Sequence, residues 1–167
     1  MSGIRVAVVM GVSGSGKTTL AHALADAWPA TFLDADDFHS IAAKARMAGG
    51  LPLTDRMRAP WVRRIALELQ RRVAAGERVV LAFSGLRRRH RERLRATGLP
   101  LRFLFLHGDQ GLIAARILAR SGHYMPASLL DSQFAALEEP TAETDVVRLS
   151  IEEAPSAQLD HALAALE

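Results

Sequence analysis

The clearest chemistry lies near the start of the chain. Gly11-Val12-Ser13-Gly14-Ser15-Gly16-Lys17-Thr18 fits the pattern G-x-x-x-x-G-K-[ST] in full. An apolar run precedes it and an amphipathic helical pattern follows it, which is the context such a loop needs. The glycines let backbone N–H groups of residues 11–16 curl round an anion without Cβ clashes. The start of the following helix adds partial positive charge. In that arrangement Lys17 reaches the β- and γ-phosphates of a nucleotide and the Thr18 hydroxyl ligates magnesium, with Thr19 in the same turn. The implied ligands are ATP and Mg2+, and the implied chemistry is phosphoryl transfer.

Further candidates stand where the next elements end. Asp34 and Asp36 form a D-x-D after a second apolar stretch. Two carboxylates near ATP repel its phosphates unless one serves a metal and the other a proton. The pair resembles the D-x-D of small-molecule P-loop kinases, and that resemblance makes Asp34 the candidate for the metal or its waters. Asp36 is the candidate for orienting or deprotonating an acceptor hydroxyl. A solvated loop or a helix cap is the plainer reading of the pair. Arg58 and Arg87 could grip a carboxylate with a planar fork. His39 could give a substrate hydrogen bond or serve as a cap. It stands apart from other metal-type ligands, and no H-E-x-x-H is present.

The elements that must position these residues follow from the periodicity. Residues 4–10, 31–34, 78–83, 101–106 and 146–151 read as strands, several of them continuous apolar runs suited to burial on both faces. Helical patterns fall at 17–27, 39–48, 54–75, 87–96, 109–119, 127–137 and 156–166. Trp28-Pro29 ends the first, Gly49-Gly50 stops the second, and Gly76 is a C-terminal cap for the third. Alternation of this kind predicts an α/β fold with a five-stranded parallel sheet covered on both faces. Arg87 falls just past the end of a central strand, where open α/β sheets bind ligands.

The chain has 167 residues and is 49% hydrophobic, enough for one domain with one sizeable core. No apolar run approaches the ~18–20 residues of a membrane span. There is no signal-peptide pattern and no cysteine, so neither disulfides nor thiolate metal sites are expected. A cytoplasmic protein is expected. The net charge of +3 comes from 21 basic and 18 acidic residues, and only Lys17 and Lys44 among the basic ones are lysines. Residues 87–95 hold six arginines. They read as a solvated helix face, as a nucleic-acid patch, or as Arg87 reaching an acidic substrate. No nucleic-acid or membrane partner is expected.

The order of motifs resembles the bacterial gluconate kinase family. Phe32-Leu-Asp-Ala-Asp-Asp-Phe-His39, Arg46-Met47, Gly50, Pro52-Leu53, Asp55, Arg58 and Pro60-Trp61 are similar to that family's F-L-D-x-D-x-x-H-P, N-x-x-K-M-x-x-G-x-P-L and D-x-D-R-x-P-W. Ser84-Gly85-Leu86-Arg87 with Arg91, Leu94 and Arg95 is similar to S-A-L-K…Y-R-x-x-L-R. Arg116, Arg120, Gly122-His123-Tyr124, Gln133-Phe134 and Leu137-Glu138-x-Pro140 look like its lid and the helix after it. The resemblance spans nearly the whole chain. It implies the three-layer P-loop kinase fold shared with shikimate kinase, and a mobile lid at about 116–126. It implies ATP-dependent phosphorylation of a small sugar acid, most simply gluconate to 6-phosphogluconate, and it suggests a homodimer. His39, Arg58, Ser84 and Arg87 then meet the substrate, and Arg116 and Arg120 meet the nucleotide from the lid. A basic helix end is the plainer account of those last two. Trp61 reads first as packing.

The sequence departs from the family pattern at Ser40, Ala43, Arg46, Arg56, Met57, Arg87 and His90. In the D-x-D-R a carboxylate is lost at Met57 and an arginine gained at Arg56. Several of these positions fall where the acceptor should bind. Another sugar, sugar acid or shikimate-like ring is therefore an open alternative, as is a nucleotide-binding regulator.

Overall fold

The computed structural model describes residues 3–119 and 127–167. Its five strands are β1 (Val6–Met10), β2 (Thr31–Asp34), β3 (Val79–Ala82), β4 (Leu101–His107) and β5 (Val146–Ser150). They form one sheet in the order β2-β3-β1-β4-β5, and every pairing is parallel. The helices are α1 (Lys17–Ala27), α2 (Ile41–Ala48), α3 (Asp55–Ala74), α4 (Arg88–Arg95), α5 (Gln110–Ala119), α6 (Ala127–Ala136) and α7 (Pro155–Ala164). A 3-10 turn, Ala35–Phe38, follows β2.

Alternation along the strands divides the core in two. Ala7 and Val9 of β1 face a layer that includes Leu20 and Leu24 of α1, Ile113 of α5 and Ala162 of α7. Val6, Val8 and Met10 face the other layer, with Trp61, Ile65 and Leu69 of α3 and Leu94 of α4. All five β1 residues are buried, as the continuous apolar run required. Strand boundaries lie within two residues of those expected. The second helix starts later than expected because Ser40, whose side chain accepts from Ala43 N–H, caps it. Thr54 caps α3 in the same way through Met57 N–H. Asp109 accepts from Gly111 N–H ahead of α5.

The run at 87–95 is a solvated face only in part: Arg88, Arg89 and Arg93 are exposed. Arg91 is fully buried, and its guanidinium holds Glu143 with two hydrogen bonds of 2.9 and 2.6 Å. The same group donates to the carbonyl oxygens of Gly85 and Glu138. Arg95 adds bonds to Glu143 and to both oxygens of Asp145. Arginine hydrogen bonds hold Glu143 well below the usual carboxylate range, at about 2. This network pins α4 to the segment after α6. It also braces the 84–86 turn at the end of β3, which faces the site described next.

Candidate active site

Residues 11–18 leave β1 and turn into α1, so the loop sits at the carboxyl edge of the sheet. Its first glycine has φ 150°, and a Cβ there would come 2.7 Å from Leu106 O. Only glycine allows that approach. Gly11 and Val12 lie buried at the start of the loop. Lys17 Nζ donates to Val12 O at 3.0 Å. Burial presses its pKa down to about 8, although Asp36 and Asp34 pull the other way.

Two cavities flank the loop. The first, of about 360 Å³, is bordered by Ser13, Gly14, Lys17 and Thr18 on one side. Across it stand Asp34, Asp36, His39, Arg58 and Ser84. β2 and the turn after it supply the carboxylates. Asp34 Oδ1 accepts from Asp36 N–H at 2.9 Å, so the helix-cap reading of this pair holds for Asp34. Burial raises the Asp34 pKa, while that bond opposes it. Asp36 is 79% exposed at its side chain and open to whatever fills the cavity.

His39 is buried and stacks on Trp61, with centroids 4.2 Å apart at 17°. Its pKa falls to about 4, chiefly through burial and then through Arg64 and Arg58. The ring is neutral near pH 7, and its buried Nδ1 has no hydrogen-bond partner. A neutral imidazole with an unused nitrogen can meet a hydroxyl. Trp61 is itself buried, donating Nε1–H to Ala35 O at 2.6 Å, and it lines the same cavity. It packs and borders the site at once. Arg58 lies 3.5 Å from Asp55. Arg87 is 3.7 Å from the same Asp55 and is not among the residues lining the cavity.

The second cavity, of about 320 Å³, lies on the far side of the loop. Ser15, Gly16, Thr19 and Arg116 border it, with Ile151, Glu153, Pro155 and Gln158 opposite. The structure thus divides the expected nucleotide set between two cavities that share the loop. The expected lid at 116–126 begins on α5, but Arg120, the Ser121-Gly122 pair and the rest to 126 lie outside the described residues.

Among the described residues no cluster of three or more histidine or acidic side chains could hold a metal alone. Thr18 and Asp34 nevertheless share the first cavity. One hydroxyl and one carboxylate suit magnesium, which takes its remaining ligands from phosphate oxygens and water.

A protein-family model described as "AAA domain" matches residues 6–140. The gluconokinase of Gluconobacter oxydans (strain 621H) is 44% identical over 156 residues, covering 93% of this chain and 88% of that one. The chain belongs to the gluconokinase family. A crystal structure of a gluconokinase from Sinorhizobium meliloti 1021 superposes with a TM-score of 0.88 at 39% identity, covering 96% of this chain and 90% of that one. Shikimate kinase from Aquifex aeolicus vf5 matches at TM-score 0.59 and 16% identity over 96% of this chain and 95% of that one, which shows the shared fold. P-loop kinases of this kind use ATP. No helix among the described residues is long and apolar enough to cross a membrane.

Several residues lining the gluconokinase-like site lie outside the expected site set. Met47, Pro52 and Leu53 border the first cavity, as do Leu129, Ser132 and Gln133 of α6. Their signal was available, since the family motifs include Met47, Pro52, Leu53 and Gln133. The rim at 151–158 had none: Ile151, Glu153, Pro155 and Gln158 are ordinary residues at a strand-to-helix turn.

Proposed function

We propose that residues 1–167 act as one domain that transfers the γ-phosphate of ATP to a hydroxyl of gluconate, giving 6-phosphogluconate and ADP. The observation that carries this reading is the shared border of the first cavity. The P-loop, two carboxylates, a neutral histidine and Arg58 all meet there, in a chain of the gluconokinase family.

Each residue then has a task. The second cavity takes the nucleoside, with Arg116 at its edge. The loop amides and the α1 N-terminus hold the phosphates. Lys17 leaves Val12 O for the β/γ-phosphates and offsets charge on the leaving oxygen. Thr18 and Asp34 would hold Mg2+, which would supply neutralisation of phosphate charge. Asp36 orients the acceptor hydroxyl and takes its proton. The new bond joins that oxygen to the γ-phosphorus, while the bond from γ-phosphorus to the β,γ-bridging oxygen breaks and ADP leaves with the electron pair. Arg58 meets the acceptor carboxylate and His39 a chain hydroxyl. Arg87 steadies Asp55 beside Arg58. Arg120 brings a further charge over the γ-phosphate.

ADP release coupled to a spectrophotometric readout, run over a panel of acceptors, tests the reading. Gluconate should give the highest kcat/KM. Faster turnover of another sugar acid would move the acceptor assignment to the altered positions Arg56 and Met57. Turnover independent of any acceptor would reject the kinase reading.

A further inference from the structure

Gln133 stands on α6 and reaches the P-loop, 120 positions away in sequence. Its Oε1 accepts from Ser13 N–H at 2.7 Å, and its Nε2 donates to Ser13 Oγ at 2.9 Å. One side-chain amide thus satisfies both the backbone and the hydroxyl of a single loop residue. Loop amides that turn inward hold phosphate, and one that turns elsewhere needs another acceptor. For Ser13 that acceptor is Gln133.

The neighbouring loop residue packs against α5. A Cβ on Gly14 would come 2.5 Å from Ile117 Cγ1, so α5 lies directly on the loop. α6 also sends Leu129 and Ser132 to the wall of the first cavity, where Ser13 and Gln133 stand too. The helix that walls the acceptor space is therefore bonded to the loop that holds phosphate.

We propose that Gln133 is a positioning residue that couples the two halves of the site: by holding Ser13, it ties the docking of α6 against the acceptor cavity to the shape of the phosphate cradle. Filling either side favours the docked helix, and the docked helix improves the other side. Each ligand then raises the affinity of the other by the same factor. The proposal rests on the kinase reading above.

The test is calorimetry of a non-hydrolysable ATP analogue with Mg2+, with and without saturating gluconate, on the full chain and on Gln133→Leu and Ser13→Ala. Gluconate should tighten the analogue about tenfold in the parent. In Gln133→Leu that factor should fall below about twofold with the fold retained by circular dichroism. Ser13→Ala keeps the N–H bond and should fall between them. The double variant should be no worse than Gln133→Leu alone. A merely structural role would weaken both ligands and leave the factor untouched, which overturns the proposal. So does a parent that phosphorylates gluconate without any coupling. If the parent does not phosphorylate gluconate at all, the substrate reading has failed, and amide exchange at Ser13 decides the matter. Exchange should rise about tenfold or more in Gln133→Leu, and unchanged exchange overturns the proposal.

Discussion

Lys17 donates its Nζ proton to the carbonyl oxygen of Val12 across 3.0 Å, closing the P-loop on itself. A phosphate must take over that donor. Lys17→Ala should lose about 10²-fold or more in kcat, as removal of one charge-stabilising donor typically does, and its melting temperature should not fall. Near-normal turnover in a soluble variant would remove the lysine from the mechanism.

The same residue gives a pH dependence. Burial puts its pKa at about 8 in the folded chain against 10.5 for a free lysine. The free enzyme therefore loses the ammonium as pH rises through about 8, and kcat/KM for ATP should fall there. Bound phosphate favours the charged form, so kcat should hold to higher pH. Between about 8 and 10.5 the unfolded chain carries the extra proton, so the Lys17 contribution to stability rises with pH in that window. A kcat/KM profile flat from about pH 7 to 10 would contradict the assignment.

Asp36 is exposed to the first cavity and Asp34 is tied to the backbone of the turn. Asp36→Asn should lower kcat by roughly 10²–10⁴-fold, the usual worth of a positioned base, while the KD for an ATP analogue changes little. Rapid-quench kinetics would check it. Full activity in the variant would show that the acceptor oxygen needs no base.

Much of this was legible in the sequence, and the reason is physical. Strands buried on both faces leave continuous apolar runs, so β1, β3 and β4 could be read directly. A loop that folds round phosphate must use glycine, so residues 11–18 announce their chemistry. The rim at 151–158 carries no motif, so no residue pattern marked it as a cavity wall. Arg91 stood in a family motif, but its burial was illegible for another reason. In a run of arginines one charge looks like the next, and its partner Glu143 lies 52 positions away.

Arg91 therefore makes a stability prediction. Arg91→Ala leaves Glu143, 5% exposed at its side chain, with only Arg95 beside it. Removing one partner of a buried pair typically costs about 3–5 kcal/mol. Urea unfolding should show a loss of that size. A change below about 1 kcal/mol, the worth of a surface pair, would mean that the network does not brace the 84–86 turn.

Arg58 borders the first cavity and lies 3.5 Å from Asp55. Arg58→Ala should raise the gluconate KM about tenfold or more and the ATP KM by less than about twofold, the loss of one charge-assisted contact being worth at least 1.4 kcal/mol. Initial-rate kinetics with each substrate varied in turn would separate the two. Equal effects on both would move the carboxylate contact to another arginine.

Phosphorus NMR of the products gives a direct check on acceptor-dependent transfer to a sugar acid. With ATP, Mg2+ and gluconate, a phosphate monoester at the 6-position should appear one-for-one with ADP. Glucose, which has the same chain length and no carboxylate, should give far less. A spectrum with only ADP and inorganic phosphate, or equal yields from glucose and gluconate, would contradict the account.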